Sequence, residues 1–91
     1  MREIIFSSQF KRDLKRIQRT VNEKVLLDLN AAIESLAADI PLQERLKDHP
    51  LTGQWNDCRD CHIRPDLLLI YKKVPTKLYL VRIGSHSELD F

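Results

Sequence analysis

The sequence predicts an α+β fold of order β-α-α-β-β-β, with a helical hairpin packed on one face of a curved, mainly antiparallel sheet. Three observations carry that prediction. Apolar residues recur at helical spacing between Phe10 and Ile40. After Trp55 they change to strand-like runs. The later runs are joined by connections so short that the strands must be antiparallel neighbours. The 91 residues are read as a single domain, 1–91, because a chain of this size buries only roughly 60–65% of its unfolded surface and cannot support two cores.

The elements follow in order. Residues 3–6 read as a short first strand, after which Ser7 or Ser8 offers an N-cap hydroxyl. Phe10, Leu14, Ile17 and Val21 form one helical stripe, and Lys11, Arg12, Lys15, Arg16 and Arg19 fill most of the remaining surface. Thr20 and Glu23 have capping-box spacing and are expected to start a second helix. Leu26, Leu29, Ile33, Leu36 and Ile40 continue it until Pro41. Residues 41–54 carry two prolines and a glycine and read mostly as loop. Strands are expected over 57–63, 66–73 and 77–85, linked by Arg64-Pro65 and by Val74-Pro75-Thr76. The middle strand is apolar on both sides, from Leu67 to Tyr71, which suits a central position. The helices need one face of the sheet to bury their stripes. The other face is expected to stay open as a working surface.

Composition excludes several classes. Hydrophobic residues at 43% and charged residues at 31% argue against wholesale disorder. The longest apolar run, Leu67 to Tyr71, falls far short of the ~20 residues that span a bilayer. The start, Met-Arg-Glu-Ile-Ile-Phe, has no signal-peptide core, so a cytoplasmic protein with reduced cysteines and no membrane association is expected. Charge is unevenly distributed. Residues 1–24 carry +4, residues 25–44 carry −4 and residues 45–91 carry +2. A basic segment beside an acidic one gives an oriented field, with the basic face available to phosphates.

Strand parity sorts the polar side chains. Asp60 and His62 share one face, and Cys61 and Ile63 share the other. In the last strand Arg82 has the parity of Leu78, Leu80, Gly84 and His86, while Tyr79, Val81 and Ile83 are assigned to the core. Asp66 lies just beyond the turn from His62, and His49 lies in the loop before the sheet. Asp60, His62, Arg82 and His86 are thus expected on the open face. The set suits phosphodiester chemistry. Histidine, with an unperturbed pKa near ~6.5, serves as base or acid at neutral pH. An arginine fork can hold a phosphate, and a carboxylate can orient a histidine or take a proton. RNA cleavage through the 2′-OH needs no metal.

The run Cys58-Arg59-Asp60-Cys61-His62 matches the haem-attachment pattern C-x-x-C-H. It lacks an export signal, and Met1 is the only methionine. A zinc site is disfavoured because residues i and i+3 of a strand point to opposite faces, and there is no second cysteine pair. Two reduced thiols are preferred, with Cys61 in the core and Cys58 partly exposed.

Four stretches in order resemble one family. Lys47-Asp48-His49-Pro50-Leu51-Thr52-Gly53-Gln54-Trp55 is similar to the K-D-H-P-L-x-G-x-W segment of YafQ-type toxins, in the RelE/ParE superfamily of toxin–antitoxin systems. Arg59-Asp60-Cys61-His62-Ile63-Arg64-Pro65-Asp66 resembles their R-D/E-x-H-x-x-P-D, and Leu69-Ile70-Tyr71 their central strand. Arg82-Ile83-Gly84-Ser85-His86-Ser87-Glu88-Leu89 resembles their R-x-G-[ST]-H-x-x-L ending. The first half matches only in pattern.

The resemblance implies a RelE/ParE-like fold and a type II toxin. It implies an mRNA endonuclease that cuts in the ribosomal A site and inhibits translation, with no cofactor. By motif, His49, His62, Asp66, Arg82 and His86 correspond to active-site positions. His86 would be the general acid, Asp66 or His62 the base, and Arg82 the phosphate cation. Phe91, Lys47 and Arg59 would bind substrate, although Asp90 is an extra residue before the terminal Phe91. Lys11, Lys15, Arg16 and Arg19 could contact ribosomal RNA. A DinJ-like antitoxin is the implied partner, and operator DNA is reached only through it. ParE-like relatives, which bind and inhibit DNA gyrase, are the alternative, as is a degenerate toxin that only binds its antitoxin. The three histidines and Asp66 argue against gyrase binding, while the displaced Phe91 is the one feature that favours the degenerate toxin.

Overall fold

A computed structural model describes residues 1–91. The first strand, β1 (Glu3–Phe6), leads into helix α1 (Ser8–Ile17). Ser7 is the N-cap, and its hydroxyl accepts from the Phe10 N–H at 3.0 Å. Helix α2 spans Glu23–Ala37. Its cap is Asn22, whose side chain accepts from the Val25 N–H at 3.1 Å. The expected Thr20 cap is therefore corrected: the Thr20 hydroxyl donates back to the Ile17 carbonyl at 3.2 Å and closes α1 instead. The apolar stripe of α2 also ends one turn earlier than its spacing suggested. Asp39 adopts a left-handed φ of 59°, and Ile40 is turned out, 56% exposed.

The segment read as loop contains two single 3-10 turns, Glu44–Leu46 and Gly53–Trp55, flanking a two-residue strand β2 (His49–Pro50). Three longer strands follow: β3 (Arg59–Arg64), β4 (Leu67–Lys73) and β5 (Lys77–Gly84). The sheet order is β1-β5-β4-β3-β2. β1 runs parallel to β5, and every other pair is antiparallel. The chain thus has the expected α+β architecture, with β2 added at the edge, and His49 belongs to that edge strand rather than to a loop.

Helices and sheet enclose the main core. Phe10 and Ile17 of α1, and Leu29, Ile33 and Leu36 of α2, pack on Cys61, Ile63, Leu69, Tyr71, Leu78, Leu80 and Ile83. The other face of the sheet is not bare. Leu68, Ile70, Cys58 and Leu89 form a smaller cluster there, with Leu51, Trp55 and Val81 against it. The 51–58 segment and the C-terminal tail supply this cover, so Cys58 is buried rather than partly exposed. Burial pushes the Cys58 thiol up to about 11 and the Cys61 thiol up to about 12. The two sulfurs belong to clusters on opposite faces of the sheet.

Two register shifts re-aim side chains. One lies between His62 and Arg64 of β3. The other lies where Ile70 faces Arg82 but Tyr71 faces Leu80, leaving Val81 as the extra residue of β5. This bulge corrects the parity assignment of β5. Leu78, Leu80 and Ile83 all face the helices, while Val81 packs on the opposite side. No helix is long and apolar enough to cross a membrane.

Candidate active site

β2 and β3 bring the first histidines together. Pairing sets His49 opposite Asp60, and His62 follows two residues later on the same face. The His49 Nδ1 donates to the Lys47 carbonyl at 2.6 Å, which turns Nε2 toward Asp60 Oδ2 at 3.8 Å. His86 comes from the turn after β5. Its Nδ1 donates to Asp66 Oδ1 at 2.5 Å, and its backbone N–H donates to the same oxygen at 2.9 Å. Asp66 thereby fixes both the ring and the main chain of His86, leaving Nε2 for other partners. The rings form a row. Centroids lie 6.0 Å apart for His49 and His62, and 5.8 Å apart for His62 and His86.

This row lines an open cleft of about 410 Å³, together with Thr52, Asp60 and Phe91. The extra residue before the C-terminus is absorbed by backbone geometry. Asp90 takes a left-handed φ of 66°, and the Phe91 N–H donates to the His86 carbonyl at 2.8 Å. The Phe91 ring therefore stands at the cleft, 47% exposed.

The carboxylates have distinct environments. Asp66 is exposed, and the two His86 N–H donors hold its carboxyl below the ordinary carboxylate range. Asp60 is 3% exposed at the cleft floor. Burial pushes its carboxyl up, against the pull of His49, His62 and His86. Asp60 Oδ1 and His62 Nδ1 are both buried without a hydrogen-bond partner. Strand parity sets Asp60 beside His62, but its depth follows from tertiary packing.

Arg82 is not part of this row. Its register partner is Ile70, yet its guanidinium is turned onto Asp13 of α1. Asp13 is fully buried and accepts from Arg82 Nε at 2.7 Å, Arg82 Nη2 at 3.1 Å, the Ile83 N–H at 3.1 Å and Arg16 Nη1 at 3.1 Å. Burial alone would raise the Asp13 carboxyl. The bonds from Arg82, Ile83 and Arg16 outweigh it and hold the group below its ordinary value. No sequence signal marked Asp13, because it reads as one polar residue within a basic helix.

The remaining candidates divide. Lys47, in a left-handed conformation after the first 3-10 turn, lines a groove next to His62 and His86. Arg59 instead donates to Asp48 at 3.1 Å, and Asp48 also accepts from the Tyr71 hydroxyl. Lys11, Lys15 and Arg19 are exposed on α1 and its exit turn. Arg16 is committed to an internal network, with Nε 2.9 Å from Glu88 Oε2.

Comparison with known proteins places the chain by sequence and by fold. The family model described as bacterial toxin of type II toxin–antitoxin system, YafQ, matches residues 2–90. The mRNA interferase toxin YafQ of Escherichia coli K12 is 37% identical over 89 residues, covering 97% of this chain and 95% of its own. The E. coli DinJ–YafQ complex contains a chain with a TM-score of 0.87 at 36% identity, with 98% of each chain covered. A metal-bound toxin from Helicobacter pylori superimposes with a TM-score of 0.85 at 42% identity, covering 98% of this chain and 99% of that one.

Proposed function

From the premise that this chain belongs to the YafQ family of type II toxin–antitoxin toxins, we propose that it is a ribosome-dependent mRNA endonuclease acting in the cytoplasm. Its substrate is message held in the A site, and its reaction is transesterification by the ribose 2′-OH. The observation that carries this reading is the row of three imidazoles with His86 locked by Asp66. His86 presents Nε2 to the leaving 5′-oxygen and donates the proton. Asp66, engaged by two donors and held acidic, is a poor base and acts as the residue that positions His86. The base is then His62, in the centre of the row, which takes the 2′-OH proton. The products are a 2′,3′-cyclic phosphate and a 5′-hydroxyl, and no metal enters the balance.

His49 and the buried Asp60 shape the field beneath the reacting phosphate, and Phe91 stacks on a neighbouring base. Arg82 retains Nη1 for a phosphate while Asp13 holds its other nitrogens. Arg59 serves substrate binding only after leaving Asp48. Exposed Lys11, Lys15 and Arg19 provide salt-sensitive contacts to ribosomal RNA, with Arg16 bracing the helix they stand on. The E. coli relative is seen in complex with DinJ, and a DinJ-like antitoxin is the partner proposed here. Operator DNA is reached only through that complex.

The test is cleavage mapping on programmed ribosomes in a purified translation system containing Mg²⁺ for the ribosome. Message cuts that require the ribosome, end in cyclic phosphate and vanish with His86→Ala are the expected result. Intact message with wild-type protein, combined with inhibition of DNA gyrase, would replace the nuclease by a gyrase-binding toxin.

A further inference from the structure

A second concavity, about 480 Å³, shares His62 and His86 with the cleft but is not lined by Phe91. Its remaining walls are Arg45, Lys47, Ile63, Arg64 and Pro65. No carboxylate lines it. We propose that this groove binds a backbone phosphate of single-stranded RNA one nucleotide away from the bond being cut. The proposal rests on the ribonuclease reading and extends it from the histidine row to the path of the substrate chain.

Three features support a phosphate rather than a peptide. First, the cations are presented and not consumed. Lys47 makes no ion pair, and its left-handed φ of 49° after the 3-10 turn projects it from the surface. Arg45 uses only Nε, donating to Gln43 at 2.8 Å, so both terminal nitrogens remain available. Second, the wall they face is rigid. Arg64 is braced by Asp28 at 2.7 Å and by the Ile63 carbonyl at 2.9 Å, so it fixes the shape of the groove while contributing little net charge. Third, the groove is continuous with the cleft, since His62 and His86 line both. A chain whose scissile phosphate sits at those rings has one arm toward Phe91 and the other toward Arg45 and Lys47. The functional groups presented to the groove are cations and imidazoles with no carboxylate among them, and a phosphodiester needs such charge and donors.

The experiment uses purified full-length protein and programmed ribosomes. Two modified messages each carry one uncharged methylphosphonate, placed one linkage 5′ or one linkage 3′ of the cut. The double variant Arg45→Gln/Lys47→Gln is compared with wild type at limiting toxin. On one of the two messages the neutral linkage is expected to slow wild type roughly tenfold, as for loss of a charge-assisted contact. The double variant should be slowed similarly on unmodified message and lose nothing further on that linkage. Its log rate against log salt should also flatten by about 0.7, the slope for one phosphate contact on a single strand. Both residues are exposed, so an unchanged thermal melt is expected to accompany these losses. Effects of variant and linkage that multiply on both messages would overturn the subsite, and so would an unchanged salt slope. A variant defect identical on all messages would reassign the cations to ribosomal RNA. Wild type that cuts none of the messages would instead refute the ribonuclease reading itself.

Discussion

Replacing Asp13 should unfold a large part of this domain's stability reserve, although Asp13 is far from obvious in the sequence. The side chain is 1% exposed and accepts from Arg82, Arg16 and the Ile83 N–H. In Asp13→Ala the Ile83 N–H, in a bulged part of β5, loses its side-chain acceptor. The Arg82 guanidinium, 20% exposed, loses both bonds to the carboxylate. Breaking a buried pair from one side costs about 3–5 kcal/mol. Arg16, 42% exposed, keeps Glu88 and is partly screened by solvent. The expected loss is therefore about 3 kcal/mol, the low end of that range. It is a substantial share of the roughly 5–14 kcal/mol expected for a domain of this length.

Urea unfolding in a His86→Ala background, which permits overproduction of the toxin, measures this loss. A double-mutant cycle with Arg82→Ala should return a coupling of about 1.5 kcal/mol or more, since the residues share two hydrogen bonds. The acid side carries a second signature. The folded Asp13 carboxyl lies below its free value of 3.8. Its contribution is complete above that value and is lost as pH falls toward the depressed folded value. Asp13→Asn should therefore flatten the acid limb of stability against pH. A loss under 1 kcal/mol for Asp13→Ala, or strict additivity with Arg82→Ala, would refute the claim that this buried carboxylate ties α1 to β5.

Other consequences are open to measurement. Asp66→Ala should lower the cleavage rate by about 10²-fold with little change in ribosome affinity, because it removes the acceptor that orients His86; an equal loss in affinity would point to a binding role. Deleting Asp90 should withdraw the Phe91 ring from the cleft and weaken substrate binding as Phe91→Ala does, read as a rise in the toxin concentration giving half-maximal cleavage. Cys58 and Cys61, pushed up to about 11 and about 12 by burial, should resist iodoacetamide at pH 8 in the native state and react fully in urea. Gly84→Ala should disturb the Arg16–Glu88 contact at a cost of about 1 kcal/mol, since a Cβ there would meet Glu88 Oε1 at 3.0 Å and Arg16 Nη2 at 3.2 Å. Wild-type melting behaviour for that variant would show that the tail gives way freely.

What was legible in the sequence was whatever obeys a single period. The stripe Phe10, Leu14, Ile17 located α1, and the unbroken apolar run from Leu67 to Tyr71 located β4. The His-bearing segments could be aligned on one face because Asp60 and His62 differ by two positions on an unbroken piece of β3. The second small core was less readable. Leu51, Trp55 and Leu89 lie outside the long strands, and only tertiary folding brings them over Leu68 and Ile70. The cap at Asn22 was hidden by Thr20, which offers an equally good hydroxyl two residues earlier.

The errors in β5 have one physical source, and it concerns function directly. A period-two pattern inverts across any residue that a strand gains, so anchoring it on Ile83, which is correct, puts Leu78 and Leu80 on the wrong face. β5 gains one at Val81. Without that bulge, Ile83 could not share the helix-facing side with Leu78 and Leu80. The bulge adjoins the stretch where Arg82 and the Ile83 N–H reach Asp13. β3 has its own shift between His62 and Arg64, and both of these residues line the groove. Both irregularities thus stand where the sheet leaves regular pairing to aim a cation or an imidazole. Restoring regular pairing by deleting Val81 would send Arg82 to the opposite side and move Gly84 and the His86 turn out of register with Asp66. Such a deletion should abolish cleavage while retaining far-UV circular dichroism of a mixed fold; retained cleavage would mean that the bulge does not set the site.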